Sequence, residues 1–349
     1  MTTSIDPRAF HRSDARGDVR LHTLRSENGT EISVCNYGAT LVEWLAPIGD
    51  DRRSIILGYA SLAAYENDPS YQGCVPGRCA NRLGHARFEL LGTAYQLPPN
   101  DGAHALHGGA EGFSRQVWEM HPEPAHPDGD SVRLTLESPD GDAGYPGNLT
   151  VSVRYTLTPD GHLRITYNAA TDAPTIVNLT NHAYFNLDDA GSIEHHQLQT
   201  PAQHIVAVDD AGIPTGEIVD TAGTPFDFST LSAFAPRLAT DHPQLAAVGG
   251  IDHHFILGDR SSAPRFAARL ASTDAAIEMW TTEPGFQVYT GNDLQLTPDG
   301  RRGRGWHPRE GVCLEAQIHP DAINHPHFPS PVITPETPYG QVTEYRWFS

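Results

Sequence analysis

Residues 177–187 read VNLTNHAYFNL, in which Val177, Leu179, Ala183 and Phe185 alternate with Asn178, Thr180, His182 and Tyr184, leaving Asn181 as the odd member. A period of two belongs to a β-strand, whose side chains point to opposite faces. One face is apolar and suits a core. The other carries hydrogen-bonding groups and almost no charge, which suits the lining of a polar cleft as well as an ordinary half-exposed strand. Alternating segments bounded by Gly, Pro, Asn and Asp recur throughout, among them VRLHTLRS, EISVCNY, SVRLTLES, RFAARLAS, AIEMWTT and FQVYTGN. LTVSVRYTLTPDGHLRITYNA reads as a hairpin turning at Pro159, Asp160 and Gly161. Helical signals are short, near SLAAYEND and DHPQLAAV. With no linker or repeat, the pattern predicts one all-β domain over 1–349: a large antiparallel β-sandwich in which one sheet presents a concave polar face.

Composition narrows the function. The 349 residues carry 43 acidic against 23 basic side chains, a formal charge of −20. That balance opposes binding to nucleic acid or to anionic membranes and favours a small, neutral partner. Lysine is absent, so every basic residue is arginine. Schiff-base chemistry, pyridoxal phosphate anchoring and the phosphate-binding loop all require a lysine amine and are excluded. Four cysteines, Cys35, Cys74, Cys79 and Cys313, are too few and too scattered for a disulfide scaffold. Cys74 and Cys79 suggest half a zinc site, but no second cysteine pair completes it. With no apolar signal core at the N-terminus and no stretch of membrane-spanning length, the expectation is a cytoplasmic protein, monomer or homodimer, without metal or cofactor.

Several segments carry candidate chemistry. GVCLEAQIH, residues 311–319, alternates Val312, Leu314, Ala316 and Ile318 with Cys313, Glu315, Gln317 and His319. Glu315 thus falls mid-strand on a polar face, where partial desolvation raises a carboxyl pKa toward the range of a general base. In FQVYTGN, Gln287 and Tyr289 point opposite to Phe286, Val288 and Thr290. GRCANRL supplies Arg78, Asn81 and Arg82. ALHGG supplies His107 before a glycine pair that permits close backbone approach, and GGIDHHF supplies Asp252 beside His253 and His254.

In chain order, GRCANRL, ALHGGAEGFSRQVW, VNLTNHAYFNL, GGIDHHF, FQVYTGN and GVCLEAQIHPDAINHPHFP resemble the aldose 1-epimerase (galactose mutarotase) family across most of the sequence. The resemblance implies a β-supersandwich fold and interconversion of the α and β anomers of free aldoses. By position it implies His182 as proton donor and Glu315 as proton acceptor, with Asn81, Arg82, His107, Tyr184, Asp252 and Gln287 contacting the sugar. Cys79, His254 and Trp306 depart from the residues frequent there. The aromatic group that packs on the sugar is left open among Tyr184, Phe286 and Trp306. Three rivals stand beside this reading: a metal-dependent hydrolase suggested by 19 histidines, a non-catalytic sugar-binding module, and a hexose-6-phosphate epimerase using the arginines of RRGRGWHPRE.

Overall fold

The structure, a computed structural model, describes residues 5–15, 17–124, 126–188, 191–294, 300–301 and 303–349. Antiparallel strands dominate it. A nine-stranded sheet runs Glu119–Pro122, Asp130–Ser138, Leu149–Leu157, Leu163–Thr171, Tyr339–Phe348, Ala276–Thr281, Arg265–Ala271, Gln197–Gln199 and Ser232–Ala233. The expected hairpin is its centre, with Leu157 opposite Leu163. A six-stranded sheet runs Tyr184–Phe185, Val312–Gln317, Gly285–Tyr289, Asp252–Ile256, His204–Val208 and Pro214–Asp220, and a four-stranded sheet covers residues 21–54. Among the described residues, α-helices are short pieces at Leu62–Glu66, Phe234–Leu238 and Pro243–Ala247, the second of which the sequence pattern did not signal, and the other helical turns are 3-10.

The apolar phases of these sheets meet in one core. Val132, Val153, Ile165 and Ile277 from the large sheet pack with Phe255, Phe286, Val288, Leu314 and Ala316 from the six-stranded sheet and with Ile32 and Trp44 from the four-stranded one. Polar side chains also cross between the layers. Tyr345 donates to the Leu314 carbonyl at 2.8 Å, and the Gln341 amide donates to the Ala316 carbonyl at 2.9 Å. Both acceptors lie on the strand that carries Glu315.

VNLTNHAYFNL departs from expectation. Only Tyr184–Phe185 is a strand, and every residue from 177 to 187 is buried. The alternation is nevertheless real: Val177, Leu179, Ala183 and Phe185 all enter the core. The segment is paired not by a ladder but by separate loops. Asn178 N–H donates to the Arg78 carbonyl, His182 N–H donates to Cys74, Gly73 N–H donates to His182, and Asn186 N–H donates to Ile55. Asn181 faces inward, where its amide donates to the Gly73 carbonyl at 2.7 Å. Asn178 is likewise structural, accepting from Ile318 N–H at 3.0 Å. Of the polar phase, His182 and Tyr184 alone reach the cleft described below.

Arg78 is a structural member too. Its buried guanidinium donates to the carbonyls of Ser138, Pro139 and Pro146 and to the hydroxyls of Ser138 and Thr175. Replacing Arg78 with Met orphans several buried acceptors, each costing about 1–3 kcal/mol. Calorimetric unfolding is therefore expected to show a loss of roughly 3 kcal/mol or more, with the fold retained.

Candidate active site

Register sets the outward face of the six-stranded sheet. Asp252, Tyr289, Cys313 and Tyr184 form one cross-strand row, and His254, Gln287 and Glu315 form the next. Because side chains alternate, all seven stand on the face opposite Phe286, Val288 and Leu314. A cleft opens over this face. Its floor includes Glu315, Tyr289, Tyr184 and Asp252, and its walls come from the loops that bear Tyr71, Arg82, His107 and His182.

The walls are held by backbone geometry. The short strands Arg82–Leu83 and Ala105–Leu106 pair and bring Asn81 and His107 together. Both have positive φ, 63° and 52°, a conformation uncommon outside glycine in which Asn and His are over-represented. Two reciprocal bonds hold them: His107 N–H donates to the Asn81 carbonyl at 3.0 Å, and Asn81 N–H donates to His107 Nδ1 at 3.1 Å. With Nδ1 accepting, the neutral His107 ring carries its proton on Nε2. Burial pushes its pKa well down, assisted by the nearby His182 and Arg82. Behind it, a Cβ on Gly108 would stand 1.7 Å from the Gly77 carbonyl oxygen, so this position requires glycine.

At the centre, His182 Nε2 lies 3.8 Å from Glu315 Oε1, with the two side chains 6% and 2% exposed. Burial raises the Glu315 pKa well above the carboxylate norm, and the Asp252 charge adds to this while Arg82 opposes it. Burial also lowers the His182 pKa to about 4, against weaker upward pulls from its own carbonyl and Asp252. An imidazolium in water titrates near neutrality. Desolvation overturns that, because the charged ring has no carboxylate at hydrogen-bonding distance to compensate for lost water. In the free protein, burial thus favours the neutral His182 ring and the protonated Glu315 carboxyl.

Arg82 does not stand as a free cation. Its Nε donates to Asp101 Oδ2 at 3.0 Å and its Nη1 to Asp252 Oδ2 at 3.3 Å. Burial works against its charge, but these carboxylates outweigh it. The Gln287 amide donates to the other Asp252 oxygen at 2.7 Å.

Seven of the eight sequence-nominated residues, His182, Glu315, Asn81, Arg82, His107, Tyr184 and Asp252, line the cleft. Gln287 does not; it sits one layer back and acts through Asp252. Phe286 and Trp306 are buried in separate apolar clusters and cannot stack on a ligand. Tyr71 and Tyr289 line the cleft beside Tyr184. Tyr289 was on the correct strand phase, whereas Tyr71 lies in an irregular loop that carries no periodic signal. Asp293 also lines the cleft without having been nominated.

This arrangement places one acid-base pair beside hydrogen-bond donors, acceptors, an Arg82–Asp252 ion pair and aromatic faces, a setting that suits a polyhydroxylated ring. The chain belongs to the aldose 1-epimerase family, whose model matches residues 20–346. It is 37% identical to the aldose 1-epimerase of Escherichia coli K12 over 95% of each chain, and 38% identical to the galactose mutarotase of Bos taurus over 95% of this chain and 94% of that one. Among solved structures, the galactose 1-epimerase of Lactobacillus acidophilus superposes with a TM-score of 0.87 at 30% identity, covering 97% of both chains.

The electrostatics make a signed prediction. Asp252→Asn removes a negative charge that raises the Glu315 pKa, so the Glu315 carboxyl should titrate at lower pH. ¹³C NMR of the labelled carboxyl groups reads that shift. Arg82→Gln, which removes a stabilising cation, should move it the opposite way.

Proposed function

We propose that the cleft interconverts the α and β anomers of free aldoses such as glucose and galactose by ring opening, with Glu315 and His182 as base and acid. The observation that carries this is the pair itself, 3.8 Å apart in a cleft whose arginine is already bound to Asp101 and Asp252. Ring opening needs a proton taken from the C1 hydroxyl and one given to the ring oxygen as the bond from C1 to that oxygen breaks. Glu315 accepts the first and His182 Nε2 donates the second. Rotation about the C1–C2 bond presents the other face of the aldehyde, and the transfers then run backwards. The C1 hydroxyl, by donating to Glu315, stabilises the carboxylate and moves the shared proton toward His182. His107 offers an N–H donor, Asn81 and Asp252 offer hydrogen-bonding partners, and the tyrosines offer apolar faces for the ring. We read the chain as a single cytoplasmic domain. The core cluster extending from Leu24 to Trp347 supports the first point, and four free buried thiols support the second.

The phosphosugar reading fares worse. Arg301 is bound to Glu43, Arg304 to Glu310 and Arg309 to Glu194, so these arginines are already paired. Arg302 lies outside the described residues. The cleft itself has Asp252 and Asp293 in its lining with one arginine that is already paired, a poor setting for a phosphate dianion. A metal reading rests on His182, Cys313 and Glu315, whose potential ligand atoms lie within 4.8 Å of one another. The ring, however, turns Nδ1 toward Cys313 and Nε2 toward Glu315. Chelation decides between this triad and metal-free acid-base chemistry.

Polarimetry of freshly dissolved α-D-glucose and α-D-galactose tests the proposal. Glu315→Gln should retain sugar binding by calorimetry while the catalysed rate falls about a hundredfold to ten-thousandfold. Wild type treated exhaustively with EDTA should keep its rate, and loss restored by zinc would reinstate the metal reading. Binding without any rate above buffer would establish the non-catalytic module instead.

The pH profile follows from the pair holding one proton. Below the depressed His182 pKa of about 4 both members are protonated and the base is lost. Above the raised Glu315 pKa neither is protonated and the acid is lost. A stopped-flow polarimetric pH series should give a bell, its limbs reporting macroscopic constants of the pair, and Glu315→Gln should retain a single limb.

A further inference from the structure

Cys313 takes no part in the proton transfers above, yet it touches the group that performs one of them. It precedes Glu315 by two residues on the Val312–Gln317 strand, on the same face, with Tyr184 and Tyr289 as cross-strand neighbours. Its sulfur lies 3.5 Å from His182 Nδ1, and both residues are buried. Nε2 of the same ring faces Glu315. A single strand therefore presents both the base and the contact at the far end of the acid.

The two possible placements of the ring proton have different consequences. With the proton on Nε2, donation to the sugar oxygen would leave an imidazolate unless Nδ1 gained a proton in the same step. The Cys313 thiol does not supply one: burial, then the charges of Glu315 and Asp252, push its pKa well above the thiol norm. With the proton on Nδ1, Nε2 presents a lone pair. That lone pair accepts the shared proton from Glu315, delivers it to the ring oxygen and returns to the neutral state. The main-chain carbonyl of His182 also favours a protonated ring.

We propose that Cys313 is a positioning residue for the mutarotase chemistry and rests on that reading: its sulfur accepts the Nδ1–H of His182, fixing the tautomer and leaving Nε2 free to exchange the proton. Sulfur is a weak acceptor. A carboxylate at this place would raise the basicity of the ring, as it does for metal-bound histidines. The thiol orients the ring without doing so, which keeps the proton easily passed between His182 and Glu315. The other titratable groups around His182 are Glu315, Asp252, His107 and the tyrosines Tyr71, Tyr184 and Tyr289.

The test combines ¹⁵N NMR of histidine-labelled protein with kinetics of Cys313→Ala and Cys313→Ser. In wild type at neutral pH, the His182 ring should show a protonated Nδ1 and an unprotonated Nε2. Cys313→Ala should mix the tautomers, lower kcat about three- to tenfold with KM unchanged, and shift the pH profile. Cys313→Ser, which retains an acceptor, should recover most of the loss. A wild-type ring protonated on Nε2 overturns the proposal. So does an alanine variant with unaltered tautomer, kcat and pH profile, whatever happens to its melting temperature. If wild type shows no catalysed mutarotation, the functional reading falls, and the NMR result still decides whether the sulfur accepts from Nδ1.

Discussion

The site depends on burying a carboxyl and an imidazole side by side, 3.8 Å apart. Neither group ionises easily there, since desolvation penalises the carboxylate of Glu315 and the imidazolium of His182 alike. Together they tolerate burial because a protonated carboxyl and a neutral ring carry no net charge. A hydroxyl bound beside the pair would shift the balance between the two charge placements, Glu–H with His and Glu⁻ with HisH⁺. The sheet exists, in this sense, to hold Glu315 at a fixed depth while the loops fix His182 opposite it.

The two members are held by unlike means. Glu315 stands in the middle of a strand paired on both sides, so its position follows from register. His182 lies in an extended segment fastened by single bonds to Cys74 and Gly73, with Asn181 tied to Gly73 beside it. Arg82 and Asp252 form a second fixed pair, and Gln287 steadies Asp252 from behind. Charges in the cleft are thus largely spoken for before any ligand arrives, which reduces the reorganisation that binding and catalysis would require.

Much of this was legible in the chain, for identifiable reasons. Period-two alternation correctly separated core from cleft along residues 312–317 and 285–289, because a strand admits only two directions for a side chain. It assigned the correct phases in residues 177–187 while misnaming the element, since an extended backbone alternates whether a strand or a loop pairs with it. Gln287 was placed on the correct face but one layer too far forward; its reach depends on Asp252, which lies on a neighbouring strand. Phe286 and Trp306 were aromatic candidates by type alone, and burial removes them. Tyr71 has φ of 57° in a loop, a place that only tertiary contacts define. The depressed His182 pKa was also invisible, since burial is a property of the assembled fold.

The bonds that cross between the sheets have a mechanical meaning. Tyr345 and Gln341 reach from the large sheet to the main-chain carbonyls of Leu314 and Ala316, which flank Glu315, and Tyr155 reaches the Ala39 carbonyl at 2.6 Å in the same manner. Side chains that merely interdigitate allow one layer to slide over another, whereas directional bonds to the backbone of the opposite layer resist shear. The strand that bears the base is consequently anchored from below as well as from its edges. Tied from below and along both edges, this strand gives the base a stiff footing.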